Sequence, residues 1–366
     1  MAGNSMKKIK VIVCGTGFGK YYLEAVRRLD DRIKLAGIFS RGSRQSAHWA
    51  ELLGVPMYTS FAELDEVEID LVCVVIKSEI VGGNGTEVTE YFLKRGIHVL
   101  QEHPVHYDAY ASCVRLARKN GCRYRINTFY PYLKSVRGFL KTLDNLRSVA
   151  KISYVRAECG IQVLFPMIDI LGRITGNMAS YQLEKSGQHE DQIPFAVIRG
   201  TIGGIPIMLL VKNEMDTRRV ESNIALLHQI NVSTSRGNLT LSDVHGEVLW
   251  TPVIHEKLRD PKLSGDLKDI PVQQVLCDAK GVTMGQIFEE LWPDSVGYSM
   301  SEYLNDIEKN TNAAGEHQHY LSVCKAWNEI GRMLGAYHPV MCPMEEPVAL
   351  MIGNCETLSK CFREQT

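Results

Sequence analysis

Residues 11–19 read Val-Ile-Val-Cys-Gly-Thr-Gly-Phe-Gly, and an amphipathic stretch follows at 21–29. A short apolar strand, a glycine turn and a helix N-terminus in that order make an anion site. The backbone can approach a pyrophosphate, and the unpaired N–H groups and positive dipole end of the helix face it. Gly15 is expected to make the turn and Gly17 to admit the phosphates, with Thr16 and Phe18 completing the loop. The third glycine of the dinucleotide pattern belongs at Lys20, and a glycine stands one place early at Gly19. An ordinary strand-to-helix turn would use the same residues, so the end of the next strand carries weight.

That strand, 34–39, is followed by Ser40-Arg41-Gly42-Ser43-Arg44. An NAD-selecting unit ends here in Asp or Glu, which binds the ribose 2′-OH and repels a 2′-phosphate. Ser40 is neutral, and Arg41, Ser43 and Arg44 add guanidinium groups and a hydroxyl, the groups that bind a phosphate dianion. The expected cofactor is therefore NADPH, with a solvated basic loop as the alternative.

The elements that would position these groups alternate through the first third of the chain. Strands are expected at 9–14, 34–39, 71–76, 98–101 and 123–127, and helices at 18–29, 43–53, 86–95 and 108–120. Gly96 and Gly121 follow two of the helices as stop signals. The run 71–76 is apolar on both faces and reads as a central strand of a parallel sheet. Beyond residue 130 the pattern changes. Longer, partly alternating strands are expected at 151–158, 195–201, 205–211 and 224–233. Hairpins are expected at Gly203-Gly204 and at 243–246, the latter between 238–241 and 247–250. A surface loop is expected at 258–269 and helices at 286–306 and 319–334. The expected fold class is α/β: an N-terminal Rossmann dinucleotide-binding domain over 1–130, then an α+β domain over 131–366 with a large, mostly antiparallel sheet.

Composition agrees with a two-domain globular protein: 366 residues, 45% hydrophobic and 23% charged. A net charge of −1 gives no bulk drive toward nucleic acid. No apolar stretch approaches the roughly 20 residues needed to span a bilayer, and residues 1–10 lack the apolar core of a secretory signal. Ten cysteines show no C-x-x-C pair and no metal-type clustering, and Cys14 and Cys73 sit inside apolar strands. A reducing cytoplasm is the expected compartment, with no metal, membrane or nucleic-acid partner.

Gln101-Glu102-His103-Pro104 stands where the glucose–fructose oxidoreductase family has a strand-ending Glu-Lys-Pro, whose lysine lies by the nicotinamide. The lysine has become His103. The nearest match to that family's D-x-G-x-H is Asp169-Ile-Leu-Gly-Arg173, without the final histidine. The segments GTGFGKYYL (15–23), VGGNGT (81–86), GIHVLQEHP (96–104) and NTFYP (127–131) resemble one branch, the thiazolinyl imine reductases of nonribosomal peptide siderophore assembly of yersiniabactin or pyochelin type. The resemblance is strong over 9–140 and thin beyond, where Gly315-Glu316-His317 extends it. It implies that NADPH delivers hydride to the C=N carbon of a thiazoline, giving a thiazolidine. It also implies a substrate held as a thioester on a synthetase carrier domain, and a homodimer.

Such a reduction needs a proton at the ring nitrogen. The candidates are His103 at one strand end, Tyr130 at another, or water. Imidazole titrates near neutrality, whereas a phenol is a poor acid unless a cation lowers its pKa. Glu102 is expected to hydrogen-bond the nicotinamide ribose, Ile76 and Ser78 to lie near that ribose, and Thr86 to cap the next helix. Pro104 biases His103 toward extended backbone. Lys134, Arg137 and Lys141 recur at helical spacing, a solvated face or a guide for an acidic carrier domain. His317 and His319 lack a third ligand for a metal, and His106, His228 and His338 read as core or surface residues. Two further readings remain: a sugar or polyol dehydrogenase of the same fold, and a non-catalytic NADPH-binding sensor.

Overall fold

The computed structural model describes residues 7–77, 82–187, 195–216, 218, 226–256 and 269–341. The first sheet is built by β1 (Ile9–Cys14), β2 (Ile33–Phe39), β3 (Met57–Tyr58), β4 (Leu71–Val74), β5 (His98–Glu102) and β6 (Tyr124–Asn127). Their order is β3-β2-β1-β4-β5-β6 and every pairing is parallel. The helices α1 (Gly19–Arg28), α2 (Arg44–Leu53), α3 (Gly85–Lys94) and α4 (Tyr107–Lys119) cross between strands. All four residues of β4 are buried, as expected of a central strand. The strand stops at Val74, not at Ile76. Val75 N–H still bonds Cys14 O, but β1 turns away at Gly15, so its pairing with β4 ends there.

After α5 (Lys134–Arg147) comes the second sheet. Its strands are β7 (Ile152–Gly160), β8 (Tyr181–Ser186), β9 (Phe195–Ile202), β10 (Ile205–Lys212), β12 (His228–Thr234), β13 (Gly237–Leu241), β14 (Val248–Pro252) and β15 (Gln274–Cys277). The order is β15-β14-β13-β12-β7-β10-β9-β8, antiparallel except for the β7–β10 pair. A separate two-strand pair joins β11 (Glu214–Met215) to β16 (His338–Pro339).

On β7, Val155, Ala157 and Cys159 are buried while Tyr154 and Arg156 face outward, so the sheet has one core face. That face meets α6 (Leu164–Thr175), which the sequence reading missed. The helix is apolar nearly all round, so it lacks the one-sided stripe that marks a surface helix. The expected helix at 286–306 is a short α7 (Met284–Gln286), a π-turn at Ile287–Leu291 and then α8 (Trp292–Glu308). With α9 (Ala314–Leu334), α8 returns to the first domain: α8 packs on α1, and α9 on α4 and α6. Glu316 and Asp306 pair with Arg125 of β6, fastening both helices to the edge of the parallel sheet. The expected loop at 258–269 lies outside the described residues apart from its last residue. No described helix is long and apolar enough to cross a membrane.

Candidate active site

The turn after β1 has the shape its glycines require. Gly15 adopts φ 86°, and a Cβ there would stand 2.7 Å from Val75 O. Around Gly17 a Cβ would meet nothing within 4 Å, so open space lies where a pyrophosphate would approach. Phe18 at the cap of α1 makes no side-chain cap bond, which leaves the N–H groups of Gly19 and Lys20 available to an anion. Thr16 Oγ1 lies 2.8 Å from Ser46 Oγ, itself 2.9 Å from Ser43 Oγ. Ser43 caps α2 by accepting from Ser46 N–H at 3.1 Å. The Ser40 hydroxyl accepts from Gly42 N–H at 3.2 Å. Arg41 and Arg44 are exposed and form no ion pair among the described residues. Two uncommitted guanidinium groups thus flank a helix N-terminus at the end of β2.

Ile76 sits in the bend after β4, and Ser78 lies outside the described residues. Thr86 does not cap α3. The helix starts one residue earlier, at Gly85, with Asn84 at the cap position. Gly85 N–H bonds Lys77 O at 3.0 Å, and a Cβ at this position would collide with Ile76 O, so only glycine lets the helix begin so close to β4. The Thr86 hydroxyl is buried without a partner among the described residues.

At the carboxyl edge of the sheet, His103 Nδ1 lies 2.7 Å from Glu102 Oε1 and 3.1 Å from Asn127 O. Two acceptors keep a proton on Nδ1, so Nε2 is the nitrogen free to gain or lose one. The other Glu102 oxygen accepts from Tyr22 OH at 2.5 Å, and Tyr22 OH accepts in turn from Asn127 Nδ2 at 2.5 Å. Ser299 of α8 donates to Asn127 Oδ1 at 3.1 Å. A continuous chain of hydrogen bonds therefore runs from α8 through α1 to His103. Glu102 was expected to face the cofactor ribose; both its oxygens are already engaged inside the protein.

Tyr130 is presented by an uncommon turn. Phe129 has φ 60° and ψ −60°, and Tyr130 N–H bonds Thr128 O at 2.6 Å, which defines a positive-φ γ-turn. For a non-glycine residue this costs on the order of 1–3 kcal/mol. The surroundings hold it: Phe129 N–H bonds Asn127 Oδ1, Ser295 Oγ donates to Phe129 O, and the Phe129 ring packs edge-on against Phe18 and Trp292.

The Tyr130 ring lies 6.3 Å from that of His103 and 4.7 Å from that of His228. Its hydroxyl has no hydrogen-bond partner among the described residues. Burial first, then the charges of Glu102 and Asp243, push the phenol well above its usual range. Phe165 of α6 stacks on His103 at 5.9 Å and meets Trp327 edge-on.

His228 is a site residue that the sequence reading missed. It is fully buried at the start of β12 and donates from Nε2 to Val163 O at 2.8 Å. Nδ1 is then an acceptor, and it has no partner among the described residues. Burial pushes its pKa down to about 4, so the ring is neutral at neutral pH. A lone histidine opening an alternating strand carries no signal of its own, and only the docking of the two sheets brings it to Tyr130.

Behind the γ-turn lies Asp169, fully buried. It accepts from Thr128 Oγ1, from Arg173 Nε at 2.9 Å and from His319 Nε2 at 2.6 Å. Burial alone would raise this carboxyl. The Arg173 guanidinium and the His319 bond overcome it and hold the group well below the usual range. Arg173 stands where the sugar enzymes' motif has histidine, and a histidine arrives instead from α9. His317, the other member of the pair, approaches Tyr124 O. Of the three spaced cations on α5, Lys134 and Lys141 are exposed. Arg137 is half-buried, its guanidinium over the Tyr298 ring at 3.9 Å, so the face carries two free charges rather than three.

Residues 9–128 match the family described as "Oxidoreductase family, NAD-binding Rossmann fold", and residues 150–251 match "Thiazolinyl imine reductase Irp3-like, C-terminal". Comparison with curated protein sequences finds no match. Among solved structures, a dehydrogenase from Chromobacterium violaceum aligns with TM-score 0.68 at 11% identity, covering 89% of this chain and 94% of that one. The WlbA dehydrogenase from Bordetella pertussis, in complex with NADH and UDP-GlcNAcA, aligns with TM-score 0.65 at 12% identity, covering 93% and 99%. Biliverdin reductase from Synechocystis sp. PCC 6803, in complex with biliverdin and NADP+, aligns with TM-score 0.62 at 14% identity, covering 89% and 98%. At these identities the likeness is one of fold.

Proposed function

We propose that this chain, whose residues 9–128 match the NAD-binding Rossmann oxidoreductases and whose residues 150–251 match the C-terminal domain of the thiazolinyl imine reductases, is an NAD(P)-dependent oxidoreductase that reduces the C=N bond of a thiazoline to a thiazolidine with NADPH. The observation that carries this reading is the match of the second domain, which roofs the site, to that reductase class. The site's own chemistry supports it. The glucose–fructose family's lysine is absent, and the walls around His103 are the rings of Phe165, Tyr130 and, behind Phe165, Trp327. Aromatic walls suit a flat heterocycle. A polyol would lose water bonds there that such walls cannot replace.

The residues present fit NADPH. Gly15 and Gly17 open the turn, the N-terminus of α1 takes the pyrophosphate, and Ser40, Arg41 and Arg44 take the 2′-phosphate. When bound, NADPH supplies the hydride. His103, oriented through Nδ1 by Glu102 and Asn127, presents Nε2 as the proton donor to the ring nitrogen. Tyr130, too weak an acid to give up its proton readily, orients the substrate through its free hydroxyl. Phe165 and Phe129 keep water from the reacting atoms.

Following the resemblance, the substrate is a thioester on a synthetase carrier domain, with Lys134 and Lys141 available to an acidic surface. Siderophore assembly in the cytoplasm and a homodimeric state belong to the same proposal. The test is loss of absorbance at 340 nm with a thioester mimic of an aryl-thiazoline, beside NADH and sugar controls. Consumption of NADPH with the thiazoline alone is the expected result. Turnover of a sugar but not of the thiazoline would reassign the chain to the polyol enzymes. Tight NADPH binding without turnover, even with a carrier-bound thiazoline, would leave the sensor reading.

A further inference from the structure

We infer that Asp169 is the positioning residue for Tyr130, acting through Thr128. The inference rests on the reading that Tyr130 faces the substrate. Thr128 is fully buried, and its two polar ends have separate tasks: the hydroxyl donates to Asp169, while the carbonyl accepts Tyr130 N–H and closes the γ-turn. The carboxylate therefore sets the rotamer of Thr128 and, with it, the peptide plane on which Tyr130 hangs. Two side chains hold the other oxygen of that carboxylate, Arg173 one turn along α6 and His319 from α9. Both line a polar cavity of about 590 Å³ between α8 and α9.

Stability alone does not call for this arrangement, because a buried ion pair can often be replaced by apolar side chains without loss. What a carboxylate adds is a strong, directional acceptor at one oxygen while its other oxygen is held by Arg173 and His319. Without that acceptor, the strained Phe129 can relax and carry the Tyr130 ring away from His103 and His228. The Asp169–Arg173 segment thus has a role of its own here, with its aspartate turned toward the turn that bears Tyr130.

The test uses the full chain with Thr128→Val, Thr128→Ser and Asp169→Asn. Thr128→Val keeps the shape and removes the donor, so it serves should Asp169→Asn fold poorly. With 3-fluorotyrosine at position 130, the parent should give one narrow 19F resonance, Thr128→Val and Asp169→Asn a broadened or doubled one, and Thr128→Ser the parent line. In turnover, kcat should fall about tenfold or more in Thr128→Val, with KM for NADPH changed by less than about twofold. In a Tyr130→Phe background, Thr128→Val should add no further loss. An unchanged 19F line in both variants overturns the inference, as do losses that multiply in the Tyr130→Phe background. Full activity of Tyr130→Phe would instead sink the catalytic reading of Tyr130, while the 19F spectra would still decide whether Asp169 positions the ring.

Discussion

The Tyr22 hydroxyl lies 2.5 Å from Glu102 Oε2, so the first helix of the chain holds the carboxylate that orients His103. A helix chosen by its glycine turn for cofactor binding thus also supports the proposed proton donor. The same carboxylate touches its sequence neighbour, which needs the strand to end at Glu102 and the chain to turn at once.

Replacing Glu102 by Gln should lower kcat by about 10- to 100-fold and leave NADPH affinity nearly unchanged, because the amide can present N–H to His103 Nδ1 and reverse the tautomer. Tyr22→Phe should cost less, since Glu102 keeps its bond to His103. Steady-state turnover beside stopped-flow NADPH binding checks both. Full activity in Glu102→Gln would take the pair out of catalysis.

The cofactor preference should reside in Arg41 and Arg44. Each charge-assisted bond to a 2′-phosphate is worth about 1.5–3 kcal/mol, so the double Ala variant should bind NADPH at least about a hundredfold more weakly. NADH binding should hardly change. Ser40→Asp should reverse the preference by repelling the phosphate. Equal losses for the two nucleotides would refute a 2′-phosphate site here.

Acid should destabilise the fold through its buried histidines. Burial pushes His228 and His245 down to about 4 each. Between the unfolded value near 6.5 and the folded value, the unfolded chain takes up a proton that the folded chain refuses. Stability from each group is therefore full above pH 6.5 and is lost as pH falls toward 4. With those values, each costs about 2 kcal/mol between pH 7 and pH 5. Urea unfolding at the two pH values should show His228→Phe losing less on acidification than the parent. An identical pH dependence would mean that His228 titrates normally.

Gly15→Ala should nearly abolish cofactor binding. The residue holds φ 86°, where a Cβ costs about 1–2 kcal/mol before any contact, and that Cβ would press on Val75 O. Calorimetric NADPH binding with unfolding followed by circular dichroism separates the two effects. Unaltered binding would place the pyrophosphate elsewhere.

Much of the first domain was legible from local pattern. β1 was read to the residue, and the other strands and helices of that domain to within two except the two-residue β3, which was missed, because apolar periodicity, glycine stops and serine caps act within a few residues of themselves. His103 and Tyr130 were read as strand-exit residues on the same grounds, and β5 and β6 pair side by side to bring them together. α6 was not legible, since a helix buried on all sides has no polar stripe. β8 was missed as well: its side chains are only half-buried or exposed, and the apolar alternation is weak.

By itself the sequence determined the dinucleotide turn, the basic loop after β2, the two-domain order and the two residues that face each other at the sheet edge. Only the tertiary structure decided which groups act on those two residues. His228 meets Tyr130 from 98 positions away, and His319 reaches Asp169 across 150, with Arg173 in the place where a motif reading seeks the histidine. The reason is physical. Local propensity depends on neighbours along the chain, whereas burial, hydrogen bonding and charge depend on neighbours in space, and those were set when the second sheet and the two final helices closed over the first.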